Sequence, residues 1–199
     1  MKSSGLFRGH TLDDALSDAC TTLRSRVGEL TYEVSEEGEN SEVVIEAGVD
    51  PVAVLGLFLS ESFESGELDI RARVGTGGEG LEGELEGEDV RWLTGSGGRG
   101  LDALQYLCNR VINRRMDKHH PVHLDCDGFK LRRAEQLQDR AEDAAEEVLR
   151  RRTPVKIGPL TPAARREIHM ALADDPDVET ESDGEGFLKR VVVRLRRRR

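Results

Sequence analysis

The residues best placed to do chemistry fall in two short segments. In the first, Gly95-Ser96-Gly97-Gly98-Arg99 stands at the mouth of an amphipathic helical pattern. A turn short of side chains lets a ligand approach the main chain, and the helix that follows aims unpaired N–H groups at anionic oxygens. In the second, Arg165 and His169 lie inside another helical pattern. Their spacing corresponds to about 400° of rotation, so they share one helix face. A guanidinium there can fork onto phosphate, and an imidazole can hydrogen-bond an oxygen or stack on a base. Phosphate and base together are what a single nucleic-acid strand offers. No P-loop or nucleophile elbow supports catalysis, so the expectation is a binding protein without enzymatic turnover and without a cofactor.

Charge is unevenly spread around these segments. The 199 residues are 37% hydrophobic and 34% charged, with a formal charge of −10. Residues 1–100 carry 8 basic and 21 acidic side chains, whereas 101–199 carry 21 and 18. A phosphate-binding surface is therefore expected mainly in the C-terminal half. No apolar run approaches the roughly 18 residues of a membrane span, and Met1-Lys2-Ser3-Ser4-Gly5 has no apolar export segment. These features predict a cytoplasmic protein without membrane insertion. Cys20, Cys108 and Cys126 are widely spaced with no C-x-x-C pair, which reads as free thiols in a reducing compartment.

The elements that must position the two segments are legible as three units, 1–48, 50–128 and 130–199. In the first, Thr11 with Asp14 marks a helix start, and Leu12, Ala15, Leu16, Ala19 and Leu23 recur at helical spacing. Thr31 to Val34 and Val43 to Ile45 have strand composition and flank a turn-rich stretch from Ser35 to Glu42. In the second, Asp50-Pro51 opens a helix. Two alternating strands follow, with Leu68, Ile70, Ala72 and Val74 on one and Leu81, Gly83 and Leu85 on the other. A short helix around Trp92 leads into the glycine turn and a helix with Leu101, Leu104, Leu107, Cys108, Val111 and Ile112 on its apolar stripe. Pro121 to Cys126 reads as a third strand.

The third unit begins with a charged helix from about Lys130 to Arg152, whose apolar positions include Leu131 and Leu137. A strand at Val155 to Ile157, a Gly158-Pro159 turn and a helix capped by Thr161-Pro162 follow, with Ala164, Ile168, Ala171 and Leu172 on the buried side. Val178 to Thr180 and Phe187 to Leu195 then form a hairpin. Arg190 and Arg194 alternate with Val191, Val193 and Leu195, predicting a basic stripe beside the Arg165 and His169 helix. The whole is an α+β chain of three small units.

The order helix, two strands, helix, GxxG, helix, strand resembles a type II KH domain, whose glycine loop clamps about four nucleotides. The run Gly95-Ser96-Gly97-Gly98-Arg99-Gly100-Leu101-Asp102-Ala103-Leu104-Gln105-Tyr106-Leu107 looks like the G-x-x-G-x-x-L-D-A-L-Q-Y-L run of the Jag family. Pro154-Val155, Thr161 through His169, and Ala173-Asp174-Asp175-Pro176-Asp177-Val178-Glu179-Thr180 resemble that family's C-terminal domain, named for an Arg-x-x-x-His signature. Gly9-His10-Thr11-Leu12-Asp13-Asp14-Ala15-Leu16 is similar to its Jag-N domain.

The resemblance implies a Jag-N-like unit, a KH unit with a three-stranded sheet and helices on one face, and a small sheet packed on helices. It also implies single-stranded RNA binding through Gly95, Ser96, Gly97, Gly98 and Arg99 and through Arg165, His169, Arg190 and Arg194. A post-transcriptional role linked to bacterial cell elongation and division follows, with a small KH-only partner protein or a homodimer. Family members commonly carry Lys or Arg inside the GxxG, whereas this chain has Ser96 and Gly97, with Arg91 and Arg99 nearby.

Other ligands and classes fit parts of the pattern. Single-stranded DNA could replace RNA at the C-terminal unit. A protein-interaction adaptor, with the KH unit used for dimerisation, fits the acidic N-terminal half. His119, His120 and His123 lack a cysteine or carboxylate at metal-site spacing, so no metal is expected. Trp92 has apolar neighbours and reads as core, given the area an indole buries. The basic tail from Arg196 to Arg199 can grip phosphate nonspecifically or add solubility.

Overall fold

Thr11, Asp50 and Thr161 each end extended chain and open a helix by capping its free N–H groups. Thr11 Oγ1 accepts from the Asp14 amide at 3.1 Å while Asp14 Oδ2 accepts from the Thr11 amide at 3.1 Å, a reciprocal capping box. Asp50 Oδ1 accepts from the Val52 amide at 2.9 Å, and Thr161 Oγ1 from the Ala164 amide at 3.3 Å, each with proline at the first helical position. The structure, a computed structural model, describes residues 4–38 and 42–196. Arg196 is the last described residue of the basic tail, and the tail's remainder lies outside the described residues.

The first sheet is antiparallel, with β1 (Ser4–Gly9), β2 (Leu30–Gly38) and β3 (Glu42–Val49) in the order β1-β3-β2. Helix α1 (Leu12–Leu23) packs on β1 and β3, burying Ala15, Leu16, Ala19 and Leu23 in the core that holds Phe7, Ile45 and Ala47. The second sheet follows α2 (Pro51–Ser65) and comprises β4 (Arg71–Thr76), β5 (Leu81–Glu86) and β6 (Val122–Asp125). β4 and β5 run antiparallel, and β6 joins β5 in parallel after α3 (Val90–Arg115).

Two α3 amides lock that helix to the strand. Asn109 donates to the Val122 carbonyl and accepts from its amide, both at 3.0 Å, while Gln105 accepts from the Leu124 amide at 3.0 Å. The main chain of β6 thereby finds side-chain partners on the side away from β5. On β4 and β5, Arg73 is paired to Glu86.

Between these two sheets lies a buried carboxylate. Glu29 is 2% exposed. Its oxygens accept from the Arg26 amide at 2.9 Å, from Arg26 Nη2 at 3.2 Å and from Arg115 Nη2 at 2.6 Å. Its carbonyl accepts from the Asp50 amide at 2.8 Å, at the start of α2. Burial alone would raise the Glu29 pKa, but the Arg26 amide and the Arg115 guanidinium outweigh it and hold the carboxyl below its ordinary value.

The third sheet is antiparallel in the order β7-β9-β8, formed by β7 (Val155–Leu160), β8 (Val178–Asp183) and β9 (Lys189–Leu195). Helices α4 (Phe129–Arg151) and α5 (Pro162–Ala171) pack with this sheet around Leu137, Ala141, Val148, Ile157, Ile168, Val178, Val191 and Val193. The chain divides at Asp127 and Gly128 into two compact units, the first holding two sheets and the second one.

The α+β architecture matches the sequence reading, with several local departures. β1 adds a strand to the predicted hairpin. β2 continues through the acidic stretch to Gly38, with a bulge between Val34 and Glu36. β4 starts at Arg71, so Leu68 and Ile70 precede it. Gly158-Pro159 is a cis peptide within β7, where the register shifts between Ile157 and Leu160. Leu107 and Leu131, predicted inward, are 52% and 66% exposed. Ala171, placed on the buried side of its helix, is also exposed. β9 begins at Lys189, leaving Phe187 and Leu188 exposed in the preceding turn.

Replacing Arg115 by Met tests the Glu29 anchor. Loss of one partner of a buried pair costs about 3–5 kcal/mol. Because Arg115 keeps 30% exposure, we expect about 2–3 kcal/mol, read as a lower urea midpoint at unchanged slope. The depressed Glu29 pKa contributes stability that is present above its unfolded value of about 4.3 and is lost as pH falls through the folded value. Arg115→Met should therefore flatten the acid limb of the stability profile.

Candidate nucleic-acid interface

The glycine turn interrupts α3. Gly95 is extended at φ −58°, ψ 159°, and Ser96, Gly97 and Gly98 follow at φ 53°, 73° and 79°, all left-handed. Three consecutive left-handed residues divide the helix into two segments, a conformation that Gly97 and Gly98 adopt without the Cβ penalty Ser96 bears. A β-carbon on Gly97 would meet nothing within 4 Å, so the main chain there is open to approach. Gly100 is different: a β-carbon would stand 2.9 Å from the Trp92 carbonyl oxygen and 3.0 Å from Leu93 Cα. The two helical segments pass so closely only because that carbon is missing. Arg99 is exposed beside the turn.

Trp92 departs from its predicted place in the core. It is 67% exposed, and its Nε1 donates to Asp89 Oδ1 at 3.2 Å. The neighbouring apolar residues had suggested burial, but the helical turn points them and the indole in different directions.

In the second unit, Arg165 and His169 lie on one face of α5, as their spacing requires. That face meets β8. Arg165 Nη1 donates to Ser182 Oγ at 2.9 Å; His169 Nδ1 lies 2.6 Å from Thr180 Oγ1, and its Nε2 lies 3.1 Å from Ser182 Oγ. Thr180 and Ser182 project to the same side because they are two apart in a strand. Neither hydroxyl was singled out from the sequence. Helical rotation fixes only the α5 half of the cluster, and the β8 half depends on strand register.

Burial, and then the nearby Arg165 charge, push the His169 imidazole below its ordinary pKa. The ring is therefore neutral at pH 7 and bonded to hydroxyls at both nitrogens. The buried Nε of Arg165 has no acceptor. The arrangement can present a fixed positive guanidinium and an oriented neutral imidazole to an anionic, aromatic ligand.

Arg190 and Arg194 are not brought to this face. In the β8–β9 register Thr180 stands opposite Val193 and Ser182 opposite Val191, while Glu179 stands opposite Arg194 and Asp183 opposite Arg190. Alternation then puts the two arginines on the other side of the sheet. Arg194 Nε meets Glu179 at 2.8 Å and its Nη2 meets Glu181 at 3.2 Å. Lys156 and Asp183 pair on the same surface at 2.8 Å. The predicted basic stripe is a mixed-charge face. Among the described residues no group of three or more His, Cys, Asp or Glu side chains could hold a metal ion, and no helix is long and apolar enough to cross a membrane.

The His169 environment has a measurable consequence. Proton NMR should place its pKa below about 6.5, the ordinary histidine value, and Arg165→Ala should move it upward by removing the neighbouring charge. A depressed folded-state value means that stability from neutral His169 is present above about pH 6.5 and is lost as pH falls through the folded value.

The R-3-H (Arg-x-x-x-His) domain family matches residues 135–195, spanning most of α4 through β9. A Clostridium symbiosum protein described as RNA-binding protein KhpB is 31% identical over 200 residues, covering 94% of this chain and 89% of that protein. A Bacillus subtilis protein of the same description is 25% identical over 203 residues, covering 95% and 97%. One from Lactiplantibacillus plantarum is 36% identical over 105 residues, covering 53% and 33%. With the Arg-x-x-x-His helix, the glycine turn between two helical segments and near full-length similarity in hand, the chain belongs to the Jag family, that of RNA-binding protein KhpB.

Proposed function

We propose that this protein binds single-stranded RNA and makes or breaks no bond. The observation that carries the reading is the Arg165, His169, Thr180 and Ser182 cluster. Its guanidinium is oriented by a neutral hydroxyl, which leaves its positive charge for a phosphate oxygen. Its imidazole has both nitrogens bonded to hydroxyls, which leaves the ring face to stack on a base. Relatives described as RNA-binding, two of them similar over most of this chain, support RNA as the ligand.

The Ser182 and His169 contact invites comparison with a nucleophile and its base. A serine activated by histidine needs a free lone pair and a carboxylate behind the ring. Here Arg165 donates to the same Ser182 oxygen, and Thr180 stands at Nδ1. Both features favour binding over acyl transfer.

In this reading, segments 1–48, 50–128 and 130–199 act as Jag-N-like, KH and Arg-x-x-x-His portions of a cytoplasmic regulator. The glycine turn from Gly95 to Gly98 and Arg99 hold a second stretch of RNA. A small KH-only partner or a second copy of the chain, and a link to cell elongation and division, belong to the same proposal. Tyr106 and Leu107 on α3, 64% and 52% exposed, provide apolar surface for such a partner.

Fluorescence anisotropy with labelled single-stranded RNA and DNA tests the proposal. We expect Arg165→Ala with His169→Ala to weaken binding more than Gly97→Asp, which strains the turn and adds a negative charge. The slope of log affinity against log salt should shrink by about 0.7 for each phosphate that is no longer neutralised. Arg194→Ala, on the opposite face, should change affinity little. Wild-type protein that ignores RNA would overturn the reading, and a preference for DNA would change its ligand.

A further inference from the structure

We propose that Trp92 is a base-stacking platform beside the glycine turn, holding one unpaired base of a single-stranded RNA whose phosphates run past Gly97 and Arg99. The inference rests on the RNA-binding reading and adds a subsite to it.

The site is an open cleft of about 620 Å³ lined by Arg91, Trp92, Gly95, Ser96, Arg99 and Gly100. A tryptophan left 67% exposed forgoes the large burial energy that an indole could contribute to the fold. Its orientation is nevertheless set. Nε1 donates to Asp89 Oδ1 at 3.2 Å, and the Arg91 guanidinium carbon lies 5.8 Å from the ring centroid, within the outer range of a cation–π contact. With its N–H already bonded, the ring has only π surface left to offer. Such a surface stacks on any base, because every base has a π face.

The surrounding charge favours a nucleotide over an apolar peptide. Arg91 and Arg99 line the same cleft, although residues 1–100 hold only 8 basic side chains against 21 acidic ones; Arg91 lies 3.4 Å from Asp89 Oδ1, so Arg99 is the cation that first meets a phosphate. Cations gathered beside an exposed aromatic ring attract a phosphate and bring its base to the ring. The turn supplies the other half of the grip, since nothing stands within 4 Å of where a Gly97 side chain would be. The close crossing that Gly100 permits holds the Trp92 main chain against the helix that follows the turn. Ring and turn are therefore parts of one scaffold.

Trp92 is the single tryptophan of the chain, so its fluorescence reports on this ring alone. The full chain would be titrated with a labelled single-stranded oligoadenylate of about ten nucleotides, following RNA anisotropy and tryptophan emission together. We expect saturable quenching with the same midpoint as the anisotropy. Trp92→Ala should weaken binding about 5- to 150-fold, the loss expected of one stacked base, and Trp92→Phe should retain part of the affinity. Far-UV circular dichroism should be unchanged, since the side chain is exposed. Binding by anisotropy with constant emission, and with Trp92→Ala as tight as wild type, would overturn the stacking assignment while leaving RNA binding intact. No anisotropy change at all would overturn the RNA-binding reading, and the platform with it.

Discussion

The first unit depends on a carboxylate that cannot be left alone. Glu29, 2% exposed, sits where the first sheet, the start of α2 and the end of α3 converge. An unpaired buried charge would cost several kcal/mol, so the elements carrying its partners are held together. Arg26 comes from the segment before β2, Arg115 from the last turn of α3, and the Asp50 amide from the α2 cap. The other consequences run along α3. Its C-terminal end is fixed by Glu29, its middle is stitched to β6 by Asn109 and Gln105, and its N-terminal part carries the glycine turn. The turn thus lies between two anchored helical segments, the first tied through Asp89, whose Oδ2 accepts from the Asp69 amide at 3.0 Å, and its left-handed conformation is set before any ligand arrives. Such preorganisation lowers the ordering cost of binding.

Local chemistry was the readable part of the sequence. Thr11, Asp50 and Thr161 announced their helices because a cap is a relation between residues two or three apart. The glycine turn was legible because consecutive small residues between helical patterns have few alternatives, and the α5 face because helical rotation fixes which residues are neighbours. What escaped depends on elements distant in sequence. β1 has only six residues, and it is a strand because β3 offers it a free edge. Thr180 and Ser182 join the site through β8–β9 register, and that same register sends Arg190 and Arg194 to the other face. A one-residue shift would have reversed these assignments. Trp92 was misplaced because apolar neighbours in sequence are not neighbours on a helix.

The acidity of the chain becomes intelligible when its cations are followed to their partners. Arg26 pairs with Glu29 and Glu61, Arg73 with Glu86, Lys156 with Asp183, and Arg194 with Glu179 and Glu181. Each such cation is already screened by a carboxylate, and a phosphate would have to compete for it. A count of basic residues in the C-terminal half therefore overstates the positive surface available there.

Arg165 is held differently. Its guanidinium is oriented by the Ser182 hydroxyl, which brings no negative charge, and its Nε has no acceptor at all. The geometry of an ion pair is obtained without its neutralisation. The cost falls on His169, whose protonation burial and then the neighbouring charge oppose, leaving a neutral ring whose flat face carries no charge to be desolvated. One residue thus keeps its charge because its partner is neutral, and the other is kept neutral by burial and by that charge. For the proposed RNA ligand this divides the work: Arg165 meets phosphate without breaking an existing ion pair, and His169 meets a base without giving up a hydrated proton. Replacing Ser182 by Asp would orient Arg165 equally well and remove that division, since the new carboxylate would neutralise the arginine and draw a proton onto the histidine.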